Sequence, residues 1–320
     1  MKAIRYTEYG PLDVLQLTEV ATPVPKDDEI LIRIRAASVN PIDWRLMRGT
    51  PYPIRMMTGL RRPKETRVGH DLAGQVEAVG GKVTQFRPGD AVFGASDGAF
   101  AEYVCTSESD VVPMPANVTF EQAAAVAVAG LTALQGLRDR GRVQPGQKVL
   151  INGAAGGVGT FAVQIARSFG ADVTGVCSTR NVDLVQSLGA DHVVDYTRED
   201  FTRTGQRHDL ILDMIGNRSL SDCRRALTPK GTLVWVGGPL RGMPKAVVVS
   251  PFVSQNLVVL VAKIRKEDLI TLRELLGAGT VTPVIDRSYP LEKVPEAIRY
   301  LEEGHARGKV VITMDGSADA

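Results

Sequence analysis

A chain of 320 residues, 44% hydrophobic and with a formal charge of +2, is long enough for two cores; it is too apolar for disorder and carries no polyanion footprint, so no nucleic-acid partner is expected. The three cysteines, Cys105, Cys177 and Cys223, are odd in number and far apart, which suits a reducing compartment rather than a disulfide framework or a metal knuckle. The start MKAIRYTEYG has no apolar signal core and no run is long enough to span a membrane, so a cytoplasmic, soluble protein is expected.

The first part of the chain, to about residue 118, reads as mostly β. Ile30–Ala36 and Ala73–Gly80 have strand character, Arg87-Pro88-Gly89-Asp90 is a turn before Ala91–Gly94, and Phe100–Cys105 alternates. Short strands with frequent Gly and Pro suggest a compact barrel-like domain. The character changes near Pro115. Thr119 and Gln122 form a capping-box pattern before the apolar run Ala123–Leu134, a helix expected to open a second domain. Strands and helices then alternate. The strands are expected at 148–152, 172–177, 192–195, 209–213, 232–236 and 257–261, and the helices at 158–169, 182–188 and 220–227. Such alternation gives a parallel sheet covered on both faces. A helix at 266–276, a strand at 281–285, a short helix at 295–301, a strand at 308–314 and a frayed tail at 315–320 complete the expectation.

The most informative stretch is Lys148–Asn152 followed by Gly153-Ala154-Ala155-Gly156-Gly157-Val158-Gly159. A strand runs into a glycine cluster, and the cluster runs into a helix whose Val158, Phe161, Ala162, Ile165, Ala166 and Phe169 share one face. Glycines turn the backbone tightly and let a pyrophosphate approach the first helical N–H groups. The spacing, G-x-x-G-x-x-G through Gly153, Gly156 and Gly159, differs from the usual G-x-G-x-x-G. Gly153, Ala155, Gly156, Gly157, Val158 and Gly159 are therefore the expected dinucleotide-phosphate site.

An acidic side chain at the end of the second strand would hold the ribose 2′-hydroxyl of NAD. Here that strand ends in Cys177-Ser178-Thr179-Arg180-Asn181 with no acid. Arg180 suits a 2′-phosphate, with Ser178 and Thr179 beside it, so NADPH is the expected cofactor. Ser178 and Thr179 also suit a helix cap. Tyr196, ending the third strand, is either near the adenine or an ordinary sheet-edge residue. Gly237 and Gly238, after a late strand, would let a nicotinamide approach the backbone.

Several further motifs occur in order: Ser38-Val39-Asn40-Pro41-Ile42-Asp43, Gly69–Gly74, Phe86–Val92, Gly98–Tyr103, and Leu188-Gly189-Ala190-Asp191 with Asp195-Tyr196. Together with the glycine stretch they resemble the medium-chain dehydrogenase/reductase superfamily, and within it the zinc-independent quinone oxidoreductase group. The resemblance implies an α/β plus β architecture. A Rossmann doubly wound parallel sheet, at 122–265, would be flanked by a chaperonin-10-like (GroES-like) β-barrel domain formed by 1–121 and the return 266–320. It places the active site in a cleft between the two, and a homodimer contact along the last Rossmann strand, Leu257–Val261. No metal is expected. Where zinc-dependent relatives carry a catalytic cysteine this chain has Asn40, the other cysteine position falls near Val128-Ala129-Gly130, and the four-cysteine lobe is missing; His70 remains beside Asp71, and reads as a hydrogen-bonded structural residue or, alternatively, as a residual catalytic part.

Without a Lewis acid the acceptor must already be electrophilic, and quinones and α,β-unsaturated carbonyls qualify. Hydride transfer from NADPH to such a small molecule is the leading reading. Asn40 is the candidate oxyanion donor or, before Pro41, a turn residue; Asp43 either orients it or reaches the substrate or the nicotinamide ribose, and either Tyr52 or water supplies the proton. The long stretch 48–67 reads as a functional loop, with Met56 and Met57 as an apolar wall or a small core and Trp44 as a stacking ring. Two other readings remain at this point: an alcohol or aldehyde dehydrogenase of the same superfamily, and an NADPH-binding sensor without turnover.

Overall fold

The computed structural model describes residues 1–236 and 253–314. Gly237, Gly238 and the tail from 315 lie outside the described residues. Two compact units divide the chain. Unit 1 comprises Met1–Val128, Ile264–Ala278 and the residues from Pro283 on, and unit 2 comprises Ala129–Lys263 and Gly279–Thr282.

In unit 1, strand β1 (Lys2–Arg5) pairs with β2 (Gln16–Glu19). The larger sheet is built on β3 (Glu29–Val39), with β4 (Asp71–Val79), β5 (Ala91–Ala95), β6 (Tyr103–Ser107) and β7 (Val111–Pro113). The C-terminal return adds β14 (Ile285–Pro290) and β15 (Lys309–Thr313), giving the order β14-β15-β3-β4-β5-β7 with β6 also on β3. β3 is long enough to use β6 at its start and β15 at its end. Its inward side chains, Ile30, Ile32 and Ile34, are at most 1% exposed and join Leu72, Val92, Phe100 and Val310 in one core. Helix α1 (Pro41–Arg48) follows β3 directly, with Pro41 at its first position where the missing N–H costs nothing. A single helical turn, α2 (Arg55–Thr58), lies in the long connection to β4.

Among the described residues, unit 2 is a six-stranded parallel sheet. Its strands are β8 (Lys148–Asn152), β9 (Asp172–Cys177), β10 (His192–Asp195), β11 (His208–Asp213), β12 (Leu227–Val236) and β13 (Asn256–Leu260), in the order β10-β9-β8-β11-β12-β13. The order reverses between β8 and β11, the switch point at whose carboxyl ends such sheets bind ligands.

The helix expected over Ala123–Leu134 departs from expectation. It is two helices, α3 (Phe120–Ala124) and α4 (Ala127–Leu134), and the chain passes to unit 2 after Val128 rather than at 121–122. The expected capping box forms, Gln122 N donating to Thr119 Oγ1 at 3.2 Å and Thr119 N to Gln122 Oε1 at 3.0 Å. That helix packs on β3, β4 and β5, and so closes unit 1 instead of opening unit 2. The break is stabilised from afar: the Val128 N–H in the first turn of α4 donates to Asp71 Oδ1 at 2.7 Å. The strand expected at 281–285 is also displaced, to β14, because Pro283 lacks the donor a ladder needs. Residues Gly279–Thr282 belong instead to unit 2, where Gln164 bonds Thr282 at 2.8 and 3.0 Å.

Candidate active site

The glycine corner of unit 2 is set by backbone sterics. Gly153 has φ of 92°, a conformation that favours glycine. At Gly159 an added Cβ would meet Gly153 O at 2.1 Å, so the helix can pack on the turn only without a side chain there. The helix α5 (Gly157–Ser168) starts at N-cap Gly156 with no side-chain cap and no acid in its first turn. Beyond that turn it is buried all round from Gly159 to Ala166, more completely than one apolar face predicts. Ala155 is buried and Gly156, Gly157 and Val158 are half-buried at the open end. An anion therefore meets uncapped N–H groups and a positive helix end, which fits a pyrophosphate.

The residues expected at the ribose gather where β9 and β10 end. Ser178 makes no side-chain cap to the turn it precedes; its Oγ accepts from Asn181 Nδ2 at 3.2 Å. Tyr196 is 50% exposed, and its N–H donates to Cys177 O at 3.0 Å. Thr179 Oγ1 donates to Asp195 Oδ2 at 2.5 Å and lies 2.9 Å from Thr197 Oγ1. Asp195 was not anticipated as a neighbour of this corner. Its carboxylate also accepts from Thr197 and pairs with Arg198 at 3.4 Å, so its charge is already met. Arg180 is exposed in the same turn.

The second group of functional candidates lies in unit 1 and is assembled by strand register. Ser38 pairs with Asp71 across β3 and β4, and Val39 pairs with Val310 across β3 and β15. Asn40, Asp71 and Lys309 therefore converge at one end of the sheet, and all are buried, at 3%, 0% and 2% exposure. Lys309 Nζ donates to Asn40 Oδ1 at 2.6 Å and to Asp71 Oδ2 at 3.2 Å. Asn40 Nδ2 donates to Asp71 Oδ2 at 2.8 Å and to Ser38 O at 3.3 Å, while Ser38 Oγ donates to Asp71 Oδ2 at 2.7 Å. Both amide hydrogens of Asn40 are thus spent inside the protein, which leaves none for a substrate oxyanion. The Asn40 backbone N–H donates to Asp43 Oδ2 at 2.7 Å, and Asp43 Oδ1 holds His70 Nδ1 at 2.6 Å. His70 Nε2 lies 3.3 Å from Asp97 Oδ1. Burial pushes the imidazole pKa down, but the Asp43 hydrogen bond and the charges of Asp43, Asp97 and Asp71 outweigh it and lift it to about 9.

Tyr52 does not join this cluster. It is 65% exposed, with the Arg55 guanidinium 5.3 Å from its ring centroid. Met56 and Met57 are 75% and 83% exposed and fill no core, whereas Trp44 is packed against the core of unit 1. Lys309 was not singled out in the sequence; the only local signal is a lysine entering an apolar strand, Lys309-Val310-Val311-Ile312.

The donor set does not fit zinc. Asn40 offers an amide, both nitrogens of His70 face carboxylates, and among the described residues no three His, Cys, Asp or Glu side chains group to hold a metal ion. Burial pushes the thiols of Cys105 and Cys177 up to about 11 and that of Cys223 to about 12, away from the thiolate that zinc binds.

Residues 26–116 match the family described as the alcohol dehydrogenase GroES-like domain, and residues 188–312 match the zinc-binding dehydrogenase family. The chain is 36% identical over 329 positions to the chloroplastic quinone-oxidoreductase homolog of Spinacia oleracea, covering 98% of both. The chain belongs to the quinone oxidoreductase group of the medium-chain dehydrogenase/reductase superfamily. It is 33% identical to the chloroplastic NADPH-dependent alkenal/one oxidoreductase of Arabidopsis thaliana, over 98% of this chain and 79% of that protein. The structure of Escherichia coli quinone oxidoreductase complexed with NADPH superposes with a TM-score of 0.85 at 25% identity, over 98% of this chain and 100% of that one. The Rossmann sheet of unit 2 and the GroES-like domain of unit 1 are the architecture of this superfamily. The plant relatives overturn the expectation of a cytoplasmic location, since both are chloroplastic. A missing apolar signal core does not fix a compartment, because organelle addresses are not apolar signals. Among the described residues no helix is long and apolar enough to cross a membrane.

Proposed function

We propose that the protein is an NADPH-dependent oxidoreductase that reduces a quinone or an α,β-unsaturated carbonyl without a metal. The observation that carries this reading is the pairing of an uncapped helix start behind the Gly153–Gly159 turn with a strand end bearing Ser178, Thr179 and Arg180 and no acid. The names of the relatives add the acceptor classes: quinone for the spinach protein, alkenal and alkenone for the Arabidopsis one. When bound, NADPH supplies the hydride. The chain's own residues then have distinct tasks. Gly153, Ala155, Gly156, Gly157, Val158 and Gly159 line the pyrophosphate, and Ser178, Thr179, Arg180 and Tyr196 take the adenosine end. Asn40 and Asp43 act as positioning residues, because their polar atoms are turned toward one another, toward Lys309 and toward His70. Tyr52, on the exposed turn after α1, stays the candidate phenolic proton source.

We assign a homodimer contact to the outer edge of β13. It ends the sheet order among the described residues, Leu257–Val259 are half-buried, and Val261 is 76% exposed. An apolar open edge of that kind otherwise invites uncontrolled pairing.

Steady-state oxidation of NADPH and NADH against a panel of quinones and 2-alkenals tests the reading. Turnover with NADPH preferred is expected; tight NADPH binding with no acceptor reduced would instead favour a sensor. In the same assay Arg180→Ala should raise the NADPH KM by about 10-fold or more and leave the NADH KM within about 2-fold, since a lost charge-assisted phosphate contact is worth roughly 1.5–3 kcal/mol. Equal changes for the two cofactors would remove Arg180 from the 2′-phosphate.

A further inference from the structure

The buried cluster of unit 1 has one polar member that is not turned inward. Asn40, Asp43, Asp71 and Lys309 are all buried, yet the His70 side chain keeps 18% of its surface exposed. Its ring has a fixed direction. Nδ1 is tied to Asp43 Oδ1 at 2.6 Å, and Asp43 is itself held by the Asn40 N–H at 2.7 Å. The His70 carbonyl accepts from Ser96 N at 2.8 Å, so the backbone is pinned as well. Nε2 therefore points toward the exposed side chain of Asp97, 3.3 Å away. That side chain is 58% exposed and can swing into water when another acceptor arrives. The charged groups facing the ring are Asp43 from α1, Asp71 from β4 and Asp97 from the turn after β5, with Lys309 of β15 compensating Asp71. Three carboxylates against one lysine leave a net negative surround, which favours an imidazolium.

We propose that His70 is a catalytic residue, whose outward Nε2–H meets the oxygen of the acceptor as that oxygen becomes negative. The proposal rests on the reductase reading above. With an enone acceptor, the hydride from the reduced nicotinamide forms the new C–H bond at the β-carbon. The C=C pair shifts toward the carbonyl carbon and the C=O pair ends on oxygen. That oxygen takes the Nε2 proton, the N–H bond pair stays on Nε2, and the neutral ring, still bonded to Asp43 through Nδ1–H, regains a proton from water. The enol released becomes the saturated ketone in solution. A quinone oxygen that becomes a phenolate is met in the same way. This assigns to His70 the role that the internally committed Asn40 amide cannot fill.

A structural role for His70, bridging α1 to the turn at Ser96–Gly98, makes a different prediction, and His70→Asn separates the two. An asparagine amide nitrogen takes the place of Nδ1, so the Asp43 bond is kept and only the outward donor is lost. The expected result is a kcat at least about 10-fold lower with a 2-alkenal, the low end for loss of an oxyanion donor or general acid, and NADPH affinity within about 2-fold by fluorescence titration. Wild-type kcat should fall as pH rises through about 9 and the Asn variant should lack that break. His70→Gln, as a second variant, should lose the same break. In the protein without cofactor, the His70 ring resonance should titrate near that value by NMR. Undiminished kcat in His70→Asn, persistence of the alkaline break in both variants, or a ring already neutral at pH 7 would each overturn the role. A wild type that reduces neither a quinone nor a 2-alkenal overturns the reductase reading itself. Wild-type turnover that both variants retain overturns only the assignment to His70.

Discussion

The two candidate centres are built on opposite principles. The glycine corner of unit 2 is local: one strand, one turn and one helix within residues 148–168 complete it, and its shape follows from where a Cβ does not fit. The cluster of unit 1 draws on residues 38–43, 70–71, 97, 128 and 309, and it exists only because β3, β4 and β15 come into register. A local corner is robust to changes elsewhere in the chain and intolerant of its own side chains. A distributed polar cluster depends on matched partners, and it fails when one partner of a buried charge is removed.

Removing Lys309 is the strongest way to break that contrast. Lys309→Met leaves Asp71 charged, buried and unpaired, and should cost about 3–5 kcal/mol in urea unfolding. Adding Asp71→Asn should recover most of the loss by removing the stranded charge. A single variant as stable as wild type would mean that register alone, without charge, holds the cluster.

The two units should also fail at opposite ends of the pH scale. His70 has its pKa raised to about 9, so its stabilising contribution is complete below about pH 6.5 and is lost as pH rises through about 9. His208, only 3% exposed at the start of β11, is pushed down to about 4, first by burial and then by Lys148. Its contribution is complete above about pH 6.5 and is lost as pH falls through about 4. Each histidine is worth at most about 3.5 kcal/mol, because a tenfold change in proton affinity corresponds to roughly 1.4 kcal/mol. Chemical denaturation from pH 4 to 10 should therefore give a dome. His70→Asn should flatten its alkaline side and His208→Gln its acid side; a variant that altered the other limb would contradict the assignment.

The smallest effect sharpens the local half of the comparison. Gly159→Ala brings a methyl to 2.1 Å from Gly153 O and 2.8 Å from Ala154 Cα, so the backbone must shift. About 1–3 kcal/mol of stability should be lost by overpacking, with NADPH affinity down by at least about 10-fold because the phosphate turn itself moves. Unchanged NADPH binding would show that the turn is not the phosphate site.

Much of unit 2 was legible in the chain because its signals are short-range: alternating periods, a glycine turn and a strand end without an acid. The edges of elements were less legible. Nothing near residue 125 announces that the helix breaks there, since the acceptor that stabilises the restart, Asp71, lies 57 positions away. The same distance effect hid Lys309, which by local pattern is one lysine at the start of an apolar strand. Asn40 shows the limit most clearly. The sequence identified it, with Asp43, as important, and residue type suggested an oxyanion donor. Only the tertiary structure shows that Lys309, Asp71 and Ser38 consume its hydrogen-bonding capacity.

The sequence by itself determined the strand, glycine turn and helix of unit 2, the alternation that makes a parallel sheet and the family, because each depends on neighbours within a few turns or strands. The tertiary structure alone decided which polar groups point inward and which remains available. Donors and acceptors separated by 27 to 269 positions are matched only when the sheet of unit 1 closes around them, and that matching leaves His70 Nε2 facing outward.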